Sequence, residues 1–388
     1  LGLICKVYVL SLMTDAYGDI PYNEAGKGDV SGLEFPHYQE QKEVYRLMLA
    51  DLETANQLLK SLKADATISD DILFNGDAVK WRKYANSLKI RILMRQSAKK
   101  DVSADIAAIF NNAQEYPVFT SIDDQATLVY NNTVDFYKWY IQPKNLPSDG
   151  SGVIFGDNFR VSEAIVDALQ TKDDPRLPVY VAPTKHSFEA HRANASVPFV
   201  YRGQPAGLSA AEQNEIDKDD YSVLSSTIRS ESRAFVMTFA ELQFLKAEAI
   251  IRGMITGNAA DEYAKGIRAS MQKWAAISSD DVDVYLARPD VALNTAQNEA
   301  LKQIGTQAWI DSFLNGFEAF ANWRRTGYPE LKVGTSVSSA IPVRYIYSDN
   351  EQNNPNLISW TNEKIGRMVN ETDMVWFQPQ KWNTNVNR

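Results

Sequence analysis

The densest grouping of side chains able to do chemistry is Asn131–Tyr140, NNTVDFYKWY. There Phe136, Tyr137, Trp139 and Tyr140 sit among Asn131, Asn132 and Asp135. Flat aromatic faces cover the apolar side of a pyranose ring, and amides or carboxylates take its hydroxyls. On that chemistry Tyr137 and Trp139 would stack on a ring beside Tyr140, while Asn132 or Asp135 binds hydroxyls. The same aromatics could instead anchor a loop on its scaffold, which is their commoner use. Tyr22 and Asn23 form a second, smaller candidate of this kind.

Catalytic patterns are not completed. His186 and His191 are five apart around Glu189, which is not the i, i+4 pair of a zinc hydrolase, and His37 is the only other histidine. There is no G-x-S-x-G elbow, and Gly150-Ser-Gly152 reads as a turn, not a phosphate cradle. Cys5 falls on an apolar helical pattern and reads as a small buried residue. The acidic pairs Asp123-Asp124, Asp173-Asp174, Asp219-Asp220 and Asp280-Asp281 read as solvated turns and helix caps, without the spacing of a calcium loop. Glu241 and Glu248 read as structural, with Lys246 or Arg252 as neighbours. The expectation is a binding protein without catalytic residues, metal or cofactor.

Composition narrows the partners. The 388 residues carry 40 basic and 49 acidic side chains, a formal charge of −9. With no dense Lys/Arg stripe, nucleic acid is disfavoured. A single cysteine excludes an internal disulfide. The opening LGLICKVYVLSLM lacks a basic leader and has Leu3 and Ile4 before the cysteine, so it reads as helix and not as a signal peptide. The chain is expected to start inside a helix, with any membrane anchor in a preceding segment.

The elements that must position these residues are mostly helical. Leu3, Val7, Leu10 and Tyr17 share one face of a first helix that ends at Gly18 and Pro21. Further helices are expected over Tyr38–Leu59, after an Asp77 cap, and over Ala104–Ala113. Residues 116–232 lose this periodicity and read as one irregular insertion with a few short strands, interrupted by a helix at Val161–Leu169. Phe235, Phe239, Leu242, Leu245 and Ala249 then line one helix, and Ala260 to Trp274 the next, paired as a hairpin. A last helix is expected from Asn298 to Arg325, with Trp309, Phe313, Phe317 and Phe320 on one face. The tail 331–388 reads as loop. Of the tryptophans, Trp81, Trp274, Trp309 and Trp323 are expected in the core, and Trp139, Trp360, Trp376 and Trp382 in irregular segments.

Six words occur in a familiar order: LSLMTDAYGDIPY at Leu10–Tyr22, WRKYANSLKIRILMR at Trp81–Arg95, DPRL at Asp174–Leu177, FAELQFLKAEAIIRG at Phe239–Gly253, Trp309–Pro329 with its WRRTGYP exit, and IPVR at Ile341–Arg344. Together they resemble the SusD/RagB-like family, in the branch with the RRTGxP ending. The resemblance implies a mainly α fold: a tetratricopeptide-like scaffold of four helix pairs with an irregular region packed on it. Residues 1–388 would form one domain, made of helical repeats at 1–115 and 233–330, the insertion at 116–232 as ligand region, and the tail. It also implies a lipid-anchored protein on the outer-membrane surface that binds oligosaccharides and hands them to a TonB-dependent (SusC-like) transporter. A tetratricopeptide-type peptide adaptor and a helical glycoside hydrolase are the alternatives.

Overall fold

The computed structural model describes residues 1–62, 68–130, 153, 159–229, 231–274, 276–334, 336 and 341–379. Sixteen helices and one two-stranded ribbon are present among them. The N-terminal helices are α1 (Gly2–Tyr17), the single turn α2 (Gly28–Ser31), α3 (Gln41–Lys60), α4 (Ala78–Gln96) and α5 (Ser103–Phe110). Asp77 starts α4 as expected, its carboxylate accepting from the amides of Val79 and Lys80. None of the helices among the described residues is long and apolar enough to cross a membrane.

The insertion contributes β1 (Ala126–Val129) and five helices: α6 (Glu163–Gln170), α7 (Leu177–Tyr180), α8 (Lys185–Ala193), α9 (Ala210–Glu215) and α10 (Ser226–Arg229). The partner of β1 is β2 (Arg233–Met237), just past the insertion, in antiparallel register Leu128↔Ala234 and Val129↔Arg233. Phe235 therefore lies on a strand and not on the helix expected for it. Phe235 itself and the β-branched Val236 beside it favour extended backbone, and Thr238 caps the following helix, its hydroxyl accepting from the amide of Glu241.

Helices α11 (Phe239–Ile251) and α12 (Ala259–Gln272) form the expected hairpin, followed by α13 (Ser279–Leu286), α14 (Gln297–Asp311) and α15 (Gly316–Thr326). The single helix expected from Asn298 to Arg325 is thus two helices. Leu314 between them has φ 72°, and Asn315 caps α15 on the amide of Glu318. The tail is not wholly loop: Asn354 and Pro355 start α16 (Pro355–Ile365), which carries Trp360.

Helix α11 is the spine. Its Leu242, Leu245 and Ala249 enter one core with α1, α3, α4 and α5, which Val375 and Phe377 of the tail complete. Its Ala240, Phe244 and Ala247 enter a second core with α6, α7, α12, α13 and α14. A helix covered on two sides has no wide polar face, yet α11 buries two carboxylates. Glu241 receives both Nε and Nη2 of Arg91 at 2.5 and 2.6 Å. Glu248 is gripped by Arg325 of α15 at 2.6 and 2.8 Å, with Arg252 at 2.8 Å. Glu318 of α15 takes Arg95 at 2.6 Å, and Arg95 lies 3.2 Å from Asp15 of α1.

Other expectations change in detail. Cys5 is exposed on α1 because the buried stripe runs through Ile4, Val7 and Leu10. Asp124 is buried on Lys83 at 2.7 Å and Asp174 on Arg176 at 2.6 Å, so these two are structural anions and not solvated turns. Trp81, Trp274 and Trp323 are buried, whereas Trp309 is only half-buried.

Burial pushes the Glu248 carboxyl up, but Arg325 and then Arg252 overcome this and hold it at about 2, against 4.5 for a free carboxyl. A depressed carboxylate stabilises the fold above its unfolded value, and the gain is lost as pH falls toward the folded value. The shift corresponds to about 3 kcal/mol at neutral pH. Glu248→Gln should therefore cost about 3 kcal/mol at pH 7, and the gap to the parent should shrink by about 1 kcal/mol by pH 3.5. Guanidinium unfolding at the two pH values checks this; an unchanged gap would contradict it.

Candidate functional site

The β1–β2 ribbon is held against the scaffold from two directions. Arg91 Nη2 donates to the Val236 carbonyl at 3.1 Å, and Asn315 Nδ2 to the Phe235 carbonyl at 3.3 Å. Where the ribbon meets the break between α14 and α15, a cleft of about 720 Å³ opens. Its walls carry the aromatic rings of Tyr8, Tyr130, Phe235 and Phe313, together with Arg229, Glu231, Arg233, Glu241, Asp311 and Asn315. That volume suits a small-molecule ligand, for which pockets run from about 300 to 1,000 Å³.

The aromatic walls are fixed by packing. Phe313 stacks on Tyr180 with ring centres 4.3 Å apart, and Phe235 meets Trp274 edge-on at 5.7 Å. The Arg233 guanidinium carbon and Lys273 Nζ each lie 5.1 Å from the Phe235 ring centre. Tyr130 ends β1 with its amide on the Ser232 carbonyl at 2.8 Å, and its ring is partly exposed. Beyond Leu314, which is 44% exposed, Phe317 and Tyr345 present half-exposed rings with centres 6.4 Å apart.

The charged groups of the cleft are already engaged. Arg233 forms a two-pronged pair with Glu231 at 2.8 and 2.6 Å. Asp311 accepts from Lys273 at 2.7 Å and from the Thr238 hydroxyl at 2.6 Å. Burial pushes the Asp311 carboxyl up, yet Lys273 holds it below the usual carboxylate range; burial of Glu241 wins over Arg91 and raises it. Two carboxyls with opposite shifts can mark an acid and base pair. Here Lys273 and Thr238 occupy Asp311, and Arg91 takes both oxygens of Glu241. That is the arrangement of wall supports.

The expected ligand residues Asn131, Asn132, Asp135, Phe136, Tyr137, Trp139 and Tyr140 lie outside the described residues, as does Trp382. Tyr130, at the cleft lip, immediately precedes them. Tyr22 is 1% exposed, with its hydroxyl on Asp51 at 2.7 Å and Lys6 Nζ 4.0 Å over its ring. Its face is therefore used in packing and not open to a sugar, a correction that follows from the chain turning back at Ile20, which bridges to Gln39. Asn23 is exposed, its amide N–H donating to Gln39 at 2.8 Å.

The histidines are dispersed: His37 pairs with Glu24, and His191 Nδ1 lies 2.6 Å from the Val197 carbonyl. His186 sits with Asp217 and Asp220 on an exposed surface, Nε2 being 2.9 Å from Asp217, which raises the imidazole's affinity for a proton. An ordinary ion pair accounts for that cluster.

Sequence reasoning missed Tyr130, Arg233, Phe235 and Asn315. Only Asn315 had a local signal, the Asn-x-x-Glu spacing to Glu318 that marks a helix start. The others reach the cleft through pairing of distant strands.

A family model described as SusD-like_2, starch-binding associating with outer membrane, matches residues 1–348. Among solved structures, an outer-membrane protein of Bacteroides vulgatus ATCC 8482, described in connection with nutrient binding, is 26% identical with TM-score 0.81, over 96% of this chain and 83% of that one. A SusD homolog of Bacteroides fragilis NCTC 9343 is 26% identical with TM-score 0.76, over 96% and 82%. A protein described as chitin-binding is 28% identical with TM-score 0.76, over 97% and 80%. No curated protein matches the sequence.

Left-handed backbone costs a side-chain-bearing residue roughly 1–2 kcal/mol. Leu314→Gly and Leu314→Ala both remove the side chain, but only glycine relieves φ 72°. The glycine variant should be about 1 kcal/mol more stable than the alanine variant. Thermal unfolding of the pair tests it, and an alanine variant of equal or greater stability would refute a left-handed turn.

Proposed function

The chain belongs to the SusD-like family of starch-binding proteins associated with the outer membrane, and we propose that it is a non-catalytic glycan-binding protein of the cell surface. In this reading the cleft beside the β1–β2 ribbon captures an oligosaccharide. A TonB-dependent transporter then receives it. A lipid-anchored position on the outer face of the membrane belongs to the same proposal.

One observation carries the reading: the cleft combines four aromatic rings with charged side chains that are already paired. Rings offer faces to pyranoses, and the outer atoms of Arg233, Glu231 and Asn315 offer hydrogen bonds to hydroxyls. A glycosidase needs one carboxylic acid and one free carboxylate flanking the bond. Glu241 and Asp311 hold their cationic partners instead, which supports binding without turnover. Tyr137, Trp139, Tyr140, Asn132 and Asp135, which follow Tyr130 closely in the sequence, belong to the proposed ligand set; Asn23 is the remaining member of the second candidate.

Calorimetric titration with maltoheptaose and chitohexaose should find a ligand. Tyr130→Ala and Trp139→Ala should each weaken it about threefold to tenfold, the size of one aromatic contact. No reducing ends should appear on long incubation. Unchanged affinity in both variants would remove this cleft from the reading, and released sugar would replace binding with hydrolysis. For the partner, affinity-tagged protein recovered from solubilised outer membranes should bring down a TonB-dependent barrel protein. Recovery of the bait without any barrel would refute delivery to a transporter.

A further inference from the structure

In the cleft beside the β1–β2 ribbon, the acceptors of the walls are mostly occupied while several donors are not. Glu231 receives four N–H groups: the amides of Ser232 and Arg233 at 2.9 and 3.0 Å, and Nε and Nη2 of Arg233 at 2.8 and 2.6 Å. Glu241 accepts from both prongs of Arg91, and Asp311 from Lys273 and the Thr238 hydroxyl. The Asn315 side-chain oxygen accepts from the Glu318 amide. On the donor side, Arg233 Nη2 also reaches the Lys273 carbonyl at 2.9 Å, so the guanidinium is held from two sides. Its remaining nitrogen, Nη1, has no hydrogen-bond partner among the described residues and is not closed off from solvent. The Tyr8 hydroxyl is in the same state, and burial raises its proton affinity, which keeps it a donor. Asn315 Nδ2 uses one N–H on the Phe235 carbonyl and retains the other.

We propose that this cleft selects an acetylated sugar, the acetyl carbonyl accepting from Arg233 Nη1 while its methyl group rests against the Phe235 ring beside the guanidinium. The guanidinium carbon lies 5.1 Å from that ring centre, so a fixed donor and an apolar surface adjoin, as the two ends of an acetyl group require. A plain hydroxyl fits this wall less well. It must place its own proton too, and the carboxylates that could take it already hold other donors. An acetyl ester carries no proton, and a trans acetamide carries its N–H on the side opposite the carbonyl, away from the wall. A carboxylate sugar is disfavoured by charge. Arg91, Arg233 and Lys273 each sit on a carboxylate, at 2.5, 2.6 and 2.7 Å. An anionic group would meet these compensated cations together with Glu231, Glu241 and Asp311.

The assignment rests on the glycan-binding reading of the same cleft, and the test separates their failures. Calorimetry of the full chain compares chitohexaose with cellohexaose, which shares its backbone but has a hydroxyl in place of each acetamido group. A second pair is O-acetylated xylohexaose and its alkali-deacetylated form. At least one acetylated sugar should bind about tenfold more tightly than its plain counterpart, and which one tells whether the acetyl group sits on nitrogen or oxygen. Arg233→Lys keeps a cation for Glu231 but removes Nη1, and should cut that ratio to about threefold or less. A merely structural part for Arg233 would weaken both members of a pair together and leave the ratio in place. Plain glycans bound as tightly as acetylated ones, or a ratio that survives Arg233→Lys, overturn the acetyl assignment and leave the glycan reading standing. The parent's ratio decides this even where the variant does not fold. An oligogalacturonate bound as tightly as the better acetylated sugar overturns the neutral assignment. A protein that binds none of these, nor maltoheptaose, overturns both.

Discussion

Two carboxylates buried on one helix determine how the rest of the molecule is assembled. Glu241 and Glu248, two turns apart on α11, reach in different directions: the first to Arg91 of α4, the second to Arg325 of α15. Glu318 of α15 closes the ring through Arg95 of α4, and Arg95 continues to Asp15 of α1, which also accepts from the Tyr45 hydroxyl. Apolar helix faces tolerate sliding and rotation, whereas two-pronged guanidinium–carboxylate pairs do not. A buried ion pair is weak evidence of net stability, but breaking one is costly. Register between four helices is the consequence that matters here. The β-ribbon cleft inherits it, because Arg91 holds Glu241 on one side and the Val236 carbonyl on the other.

This accounts for why so much of the fold was legible. The words that carried the family resemblance hold the members of this network. Asp15 lies in DAYGDIPY, Arg91 and Arg95 in the NSLKIRILMR helix, Glu241 and Glu248 in ELQFLKAEA, and Glu318 and Arg325 around NGFEAFANWRR. DPRL is likewise the buried Asp174–Arg176 pair. Charges inside a protein must be answered by partners at fixed places, so their spacing is written more tightly into a sequence than apolar residues, which exchange for one another. Helix caps such as Asp77 were readable for a similar reason.

What could not be read depended on distance or on misleading continuity. Trp309, Phe313, Phe317 and Phe320 keep helical spacing straight through a break, so periodicity joined α14 to α15. Only Asn315 and Glu318 record the interruption, and Leu314 shows nothing of its left-handed backbone in its identity. Phe235 looked helical because its neighbours downstream are; the strand exists because β1 supplies hydrogen bonds from far away in the chain. The proposed ligand site suffers most. Its rings and amides are recruited from segments with no common period, and Trp309 differs from Trp274 only in what lies beside it.

The ribbon has an evolutionary consequence. Because Val129 pairs with Arg233, residues 130–232 depart from and return to a single point on the scaffold. The entropy of closing such an excursion grows only with the logarithm of its length. Insertions or deletions within it therefore change little at the junction, provided the anchoring residues that enter the second core, such as Val166 and Tyr180, keep their places. The topology separates a helical chassis from an excursion whose length can change without disturbing it. For the glycan-binding role proposed above, that topology would let ligand preference change without redesign of the helices beneath.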